Sequence, residues 1–364
     1  MTGVMLSALS VLAGCGGEPA ASAAIDVRLA EAPIELAGRA TSRSSATWVA
    51  VLPGGRRIRI DAGRKRATTR ALSPLRRAAD AAPLARPAAL PGGGTVDVAK
   101  DGALIFADRR LPVGALPDAQ PVVGRDGLIT VLVEPTRQYP HGAVGDELEA
   151  AAVALVAARP RPRVVAIARP RPGAVFEDLR ALRVDVDGDG SEEIIVVESD
   201  EREGARIVAF DLRGRRLADS TPIGSAFRWH HALRSVPGPN GRPDIASVRT
   251  PHLGARLEFL RRRGSRLVVL AARDGYPTHY FGSRQLGAHA LADGDGDGRR
   301  ELVLPADSGS VLEGVRRQAE RIKVQWRRDA GGRVTGPIAT AGPAATPWLA
   351  AVRDDGTVRI WPPR

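Results

Sequence analysis

The chain has 364 residues, 53 of them Lys or Arg against 41 Asp or Glu, for a formal net charge of +12. This length exceeds a typical single globular domain but fits one large β architecture with ample chain for a core. The lone cysteine, Cys15, excludes an intrachain disulfide, and the scatter of the basic residues argues against a nucleic-acid groove. RPRPR, RRR, RGRR and GRRIR fall at separate turns, with no aromatic platform between them. Attraction to anionic lipopolysaccharide or acidic polysaccharide suits the same charge.

Residues 4–13 are mostly apolar and run into Leu12-Ala13-Gly14-Cys15. A short apolar segment ending in small residues reads as an export signal, too short to cross a bilayer as a helix. It resembles a bacterial lipobox, although no Lys or Arg precedes the apolar run. The resemblance implies removal of residues 1–14, lipid attachment at Cys15 and a cell-envelope location outside the cytoplasm. Gly16 after the cysteine, in place of Asp, favours the outer membrane over the inner. Residues 15–39 then form the lipidated cysteine and a tether whose first part, GGEPAASAAIDV, is small and polar.

From residue 40 onward one repeated β unit is expected to the end of the chain. Period-2 patterns predict short strands at 47–52, 57–60, 95–99, 103–107, 128–133, 164–168, 193–197, 206–211, 244–248, 257–260, 267–270, 301–304, 322–326 and 357–361. Asp-Gly at 101–102, 126–127 and 355–356 predicts hairpin turns. Residues 64–89, interrupted by prolines at 74, 83 and 87, read as an irregular insertion. Residues 146–158 (DELEAAAVALVAA) have helix propensity, yet alignment with the later repeats predicts a strand there.

Residues 185–193 (DVDGDGSEE) and 293–301 (DGDGDGRRE) each place acidic side chains at positions 1, 3, 5 and 9, directly before a hydrophobic strand. Asp185, Asp187, Asp189, the carbonyl of Ser191 and Glu193 form one candidate oxygen set. Asp293, Asp295, Asp297, the carbonyl of Arg299 and Glu301 form the other. Such a loop can surround one hard cation, with glycines permitting the sharp turns, and calcium suits it better than the stricter octahedral magnesium. Two calcium sites are therefore expected. Residues 230–250 align with both stretches, placing Glu193, Asp244 and Glu301 in register at spacings of 51 and 57 residues. The middle loop keeps only Asp244, against Val236, Gly238, Asn240 and Arg242, and no cation is expected there.

A unit of this size matches a four-stranded antiparallel blade, which must close with others into a ring to bury its faces. The expected fold is an all-β propeller of seven blades, with six as the alternative. DVDGDGSEEIIVV and DGDGDGRRELVLP resemble the VCBS/FG-GAP repeat of integrin α-subunits and bacterial surface proteins. YPHGAVGDELEA, RPDIASVRTPHLGARLEF and the GSR at 282–284 resemble an uncharacterised bacterial branch of that group. The resemblance implies a calcium-binding propeller without agreed catalytic activity.

The six histidines lie between 141 and 289, and His141, His231, His252 and His279 are candidates for one cluster. No HExxH, GxSxG or close His/Cys pair accompanies them, and no carboxylate pair stands out for glycoside cleavage. The expectation is a non-catalytic, lipid-anchored, calcium-binding propeller, monomeric in its body, that engages an envelope protein or anionic glycan. The alternative is a propeller enzyme acting on sugar or polysaccharide through a histidine-lined central pocket.

Overall fold

The computed structural model describes residues 24–107 and 109–363, so the leader and Cys15 lie outside the described residues. Apart from two 3-10 turns, Pro53–Gly55 and Pro239–Gly241, the regular elements are strands. They are β1 (Ile25–Arg28), β2 (Glu35–Ala40), β3 (Ser45–Val51), β4 (Arg57–Gly63), β5 (Ala67–Leu72), β6 (Ala88–Ala89), β7 (Thr95–Val98), β8 (Ala103–Phe106) and β9 (Arg109–Pro112). The middle of the chain gives β10 (Val122–Val123), β11 (Leu128–Thr136), β12 (Glu149–Ala157), β13 (Arg163–Ala168), β14 (Ala174–Phe176), β15 (Leu182–Val184), β16 (Glu193–Asp200), β17 (Arg206–Phe210) and β18 (Arg216–Asp219). There follow β19 (His230–Pro237), β20 (Pro243–Arg249), β21 (Arg256–Arg263), β22 (Arg266–Arg273), β23 (Ala290–Ala292), β24 (Glu301–Ala306), β25 (Val311–Gln318), β26 (Arg321–Asp329), β27 (Val334–Ala341), β28 (Trp348–Arg353) and β29 (Thr357–Trp361).

These strands form five sheets. Three are four-stranded meanders, β2-β3-β4-β5, β6-β7-β8-β9 and β23-β24-β25-β26. A fourth, β1-β29-β28-β27, joins the first described strand to the last, with Ile25 opposite Ile360 and Arg28 opposite Thr357. The fifth runs through thirteen strands, because two short contacts fuse successive units: the single pair Ala150↔Phe176 between β12 and β14, and the single parallel pair Asp219↔Arg266 between β18 and β22.

The all-β expectation matches the strand content, but the closed six- or seven-bladed propeller of uniform four-stranded blades does not match the sheets. They are open and none closes on itself. A repeat read along the sequence defines a local unit; it does not define how neighbouring units join, and here two of those joins run on as continuous sheet. Two local readings also meet the structure directly. The helix-prone 146–158 contains strand β12, where tertiary pairing with β11 along Leu128↔Ala157 to Thr136↔Glu149 overrides alanine propensity. The 64–89 stretch is not wholly irregular, since residues 67–72 form β5 on the edge of β4.

Apolar residues alternate along the strands and pack between the faces of neighbouring sheets. Trp48 and Ile60 meet Trp348, Val358 and Ile360 in one cluster, while Leu116, Val131, Phe176 and Phe210 belong to another. Two tryptophans lie over glycines directly across a strand pair, Trp48 over Gly38 and Trp326 over Gly314. A Cβ on Gly38 would stand 2.4 Å from the Trp48 ring, and one on Gly314 would stand 2.1 Å from the Trp326 ring. Only glycine leaves room for the indoles there.

Candidate metal centres

The three aligned loops occupy the same place in the fold. Each connects one strand to its antiparallel partner directly after it: β15 to β16, β19 to β20, and β23 to β24. The acidic residue that closes each loop pairs across with a residue at or next to the end of the preceding strand, giving Val184↔Glu193, Val236↔Asp244 and Ala292↔Glu301.

Both acidic loops are wound by the same set of backbone-to-carboxylate hydrogen bonds. In the first, Asp185 accepts from Gly188 N (2.6 Å) and Gly190 N (3.1 Å), and Asp189 accepts from Ser191 N (2.7 Å). Glu193 reaches back to Val186 N at 2.9 Å. In the second, Asp293 accepts from Gly296 N (2.7 Å) and Gly298 N (2.8 Å), Asp297 from Arg299 N (2.8 Å), and Glu301 from Gly294 N (3.0 Å). Gly188, Gly190, Gly296 and Gly298 all have φ between +83° and +91°, a region where a side chain is costly.

This winding brings carboxylate oxygens of Asp185, Asp187 and Glu193 within 4.8 Å of one another, and likewise those of Asp293, Asp295 and Asp297. These two clusters can coordinate a divalent metal. Asp189 sits in the first loop outside its converged trio, and Glu301 outside the second. Glu301 is instead fully buried, accepting from Trp326 Nε1 at 2.7 Å. Burial pushes its carboxyl up to about 7, with the Asp295 charge adding to the effect. Burial also raises Glu193, beside the charges of Asp187, Asp189 and Asp185.

Arginine side chains were not part of the sequence-based site, where Arg299 entered only through its carbonyl, yet one guanidinium stands at each loop. Arg262 Nη1 is 2.8 Å from Asp187 Oδ2. Arg316 lies 2.6 Å from Asp297 Oδ2 and 3.3 Å from Glu301 Oε1. Arg316 comes from β25, beside the loop, whereas Arg262 arrives from β21, 75 residues away in sequence, so no local pattern announced it.

The histidines do gather. His252 Nε2 and His279 Nδ1 are 2.8 Å apart, and His279 Nε2 is 2.7 Å from the Ser283 carbonyl. A carbonyl only accepts, so neutral His279 carries its proton on Nε2 and accepts from His252 at Nδ1. The His231 ring centroid is 5.8 Å from that of His279 and 5.3 Å from that of Trp229. His141 is joined to the group through Phe281 and pairs with the buried Glu177. Burial lowers His252 and His279 to about 4, which leaves both neutral at pH 7. His231, His252 and His279 pack against Trp229, whose Nε1 donates to the Glu177 carbonyl at 2.8 Å, and His252 and His279 are hydrogen-bonded to each other.

Fold and loops together define an all-β protein with two acidic clusters suited to a divalent cation. No family model matches the chain, and no curated protein matches it. Among solved structures it is similar to a chain of a crystal structure of a mitotic checkpoint complex, with TM-score 0.55, 11% identity, and coverage of 99% of this chain and 100% of that one. At that identity the likeness concerns the fold alone. The VCBS/FG-GAP assignment is therefore corrected: the sheets are open and no family comparison supports it. The calcium-propeller function and its propeller-enzyme alternative fall with that architecture, and the acidic clusters alone do not establish either.

Proposed function

We propose that this is an exported all-β protein in which each acidic loop takes one calcium ion as a structural staple. The observation that carries the reading is the convergence of three carboxylates in each of two equivalent loops. Calcium accepts six to eight oxygens at about 2.3–2.6 Å and tolerates irregular, flexible loops. Backbone carbonyls such as those of Ser191 and Arg299, with water, would complete each set. The ion relieves repulsion among carboxylates crowded on one turn and ties that turn to the head of β16 or β24. The apolar leader ending at Cys15 supports an envelope location with a lipid anchor, where calcium is available to low-affinity sites.

Calorimetry with calcium on the parent protein and on Asp187→Ala and Asp295→Ala tests this. Two binding events are expected, with one lost in each variant, and saturation at 100 Kd should stabilise the fold by about 2.7 kcal/mol per site. Absence of calcium-dependent heat and of a Tm shift, or binding that survives both variants, overturns the reading.

A further inference from the structure

A cavity of about 380 Å³ lies where elements of all five sheets meet. Glu35 of β2 lines it, as do Arg86 just before β6, Gln120 just before β10, Arg180 just before β15, His289 just before β23, and Ile338 of β27. Its polar lining holds two guanidiniums that donate to backbone carbonyls, and among the described residues only Arg86 of the two makes an ion pair, a long one with Glu35. Arg180 Nη2 donates to the Leu286 carbonyl at 3.2 Å, and Arg86 Nη2 to the Arg284 carbonyl at 3.4 Å. The nearest carboxylate to Arg86 is Glu35 at 3.8 Å, which is 44% exposed at the mouth.

Arg234 of β19 is near enough for its charge to act on His289. Its Nε is buried without a hydrogen-bond partner, and among the described residues its side chain makes no ion pair. The groups feel one another. Burial lowers Arg86, Arg180 and Arg234, and the charge of Arg180 lowers both of the others. Burial and the charges of Arg234 and Arg180 hold His289 well below its usual value, so it is a neutral imidazole. Two carboxylates partly offset this field: Glu35 at the mouth, and Asp178, whose own burial pushes it up to about 7.

Burying guanidinium charge without a paired anion is costly. A guanidinium has five N–H donors in a fork that matches oxyanions in two-point fashion, and Arg180 and Arg86 each give one donor to a backbone carbonyl. We propose that this cavity is an anion site that takes the phosphate, sulfate or carboxylate group of a small molecule between Arg86, Arg180 and His289, within the positive field that Arg234 adds to. Neutral His289 supplies one N–H to the anion, and Gln120, which also lines the cavity, offers an amide donor. The chain's net charge of +12 favours the approach of anions in general. The site shares no residue with the two acidic loops, so it stands or falls independently of calcium binding.

The test is calorimetric titration of the protein, in metal-free buffer, with inorganic phosphate, sulfate and succinate separately. Arg86→Met and Arg180→Met are run beside the exposed control Arg213→Met. Saturable one-site binding of at least one probe is expected. Preference for phosphate or sulfate assigns an oxyanion headgroup, and preference for succinate assigns a carboxylate. R86M and R180M should each weaken it by at least about tenfold, the loss of one charge-assisted hydrogen bond, while R213M binds as the parent does. Should R180M fail to fold, R86M and the parent titration decide. No saturable binding of any probe, or equal binding by R86M and the parent, overturns the proposal.

Discussion

Asp244 Oδ2 accepts a hydrogen bond from Arg317 Nε at 2.7 Å, joining β20 to β25 across a boundary between two sheets. Its other oxygen, Oδ1, lies 2.6 Å from Arg261 Nη2. Asp244 holds the register position at which Glu193 and Glu301 close the acidic loops. Where the loop has lost its other carboxylates, two guanidiniums thus provide the positive charge that a cation can provide in the other two.

The Asp244 carboxylate is fully buried, and Arg317 is nearly so. Asp244→Ala would leave two guanidiniums facing each other without their shared anion. A loss of about 3–5 kcal/mol is expected, as when one partner of a buried pair is removed. Urea unfolding measures it. Calcium titrations of the same variant should be unchanged, and a loss under about 1 kcal/mol would mean that the pair is effectively solvated.

Arg262 and Arg316 compete with a cation for the carboxylates of the first and second loops. Removing a neighbouring positive charge that is worth about 1 kcal/mol should tighten cation binding about fivefold. Arg262→Met is expected to tighten only the first loop and Arg316→Met only the second. Calorimetry against the single-loop variants separates the two events. Weaker binding in both would show the arginines to be supports of the loops.

Glu301 is held near 7 by burial, above its ordinary value of 4.5. Its proton stays on in the folded protein until the pH passes about 7, so without metal this group contributes less stability as the pH rises from 4.5 to 7. Glu301 lies outside the converged carboxylates, so a cation held by Asp293, Asp295 and Asp297 acts on it through charge and favours its ionised form. Calcium affinity at the second loop should therefore weaken as the pH falls below about 7, by less than the roughly tenfold per unit that a displaced ligand proton would give, and level off above it. Glu301→Gln should flatten the profile. Because Trp326 Nε1 donates to the same carboxylate, a calcium-dependent change in tryptophan fluorescence should disappear in Trp326→Phe.

His279 is lowered from 6.5 to about 4, first by burial. A histidine with a depressed folded pKa contributes stability above its unfolded value that is lost as pH falls toward the folded one. Between pH 6.5 and 4 the parent should lose on the order of 3 kcal/mol from this residue alone, at about 1.4 kcal/mol per unit. Denaturant unfolding of His279→Gln across that window should show a shallower decline, and an unchanged slope would contradict the network described here.

Much of the local structure is legible along the chain. The strands, the Asp-Gly turns at 101–102, 126–127 and 355–356, and the alignment of Glu193, Asp244 and Glu301 depend on alternation and on hairpin contacts between residues close in sequence. The acidic loops are legible for the same reason: their hydrogen bonds span two to seven residues. Other features depend on residues far apart. Ala150↔Phe176 and Asp219↔Arg266 decide that successive units fuse into one open sheet, and a repeat period carries no record of such joins. Arg317 reaches Asp244 across 73 residues, and Arg86, Arg180 and His289 meet only because five sheets bring their flanking segments to one cavity. The sequence by itself determined the β character and the two acidic loops, through short-range alternation and turn chemistry. Tertiary structure alone decided the sheet connections and the partners of the buried charges, because packing and charge compensation act through space on side chains that no local pattern links.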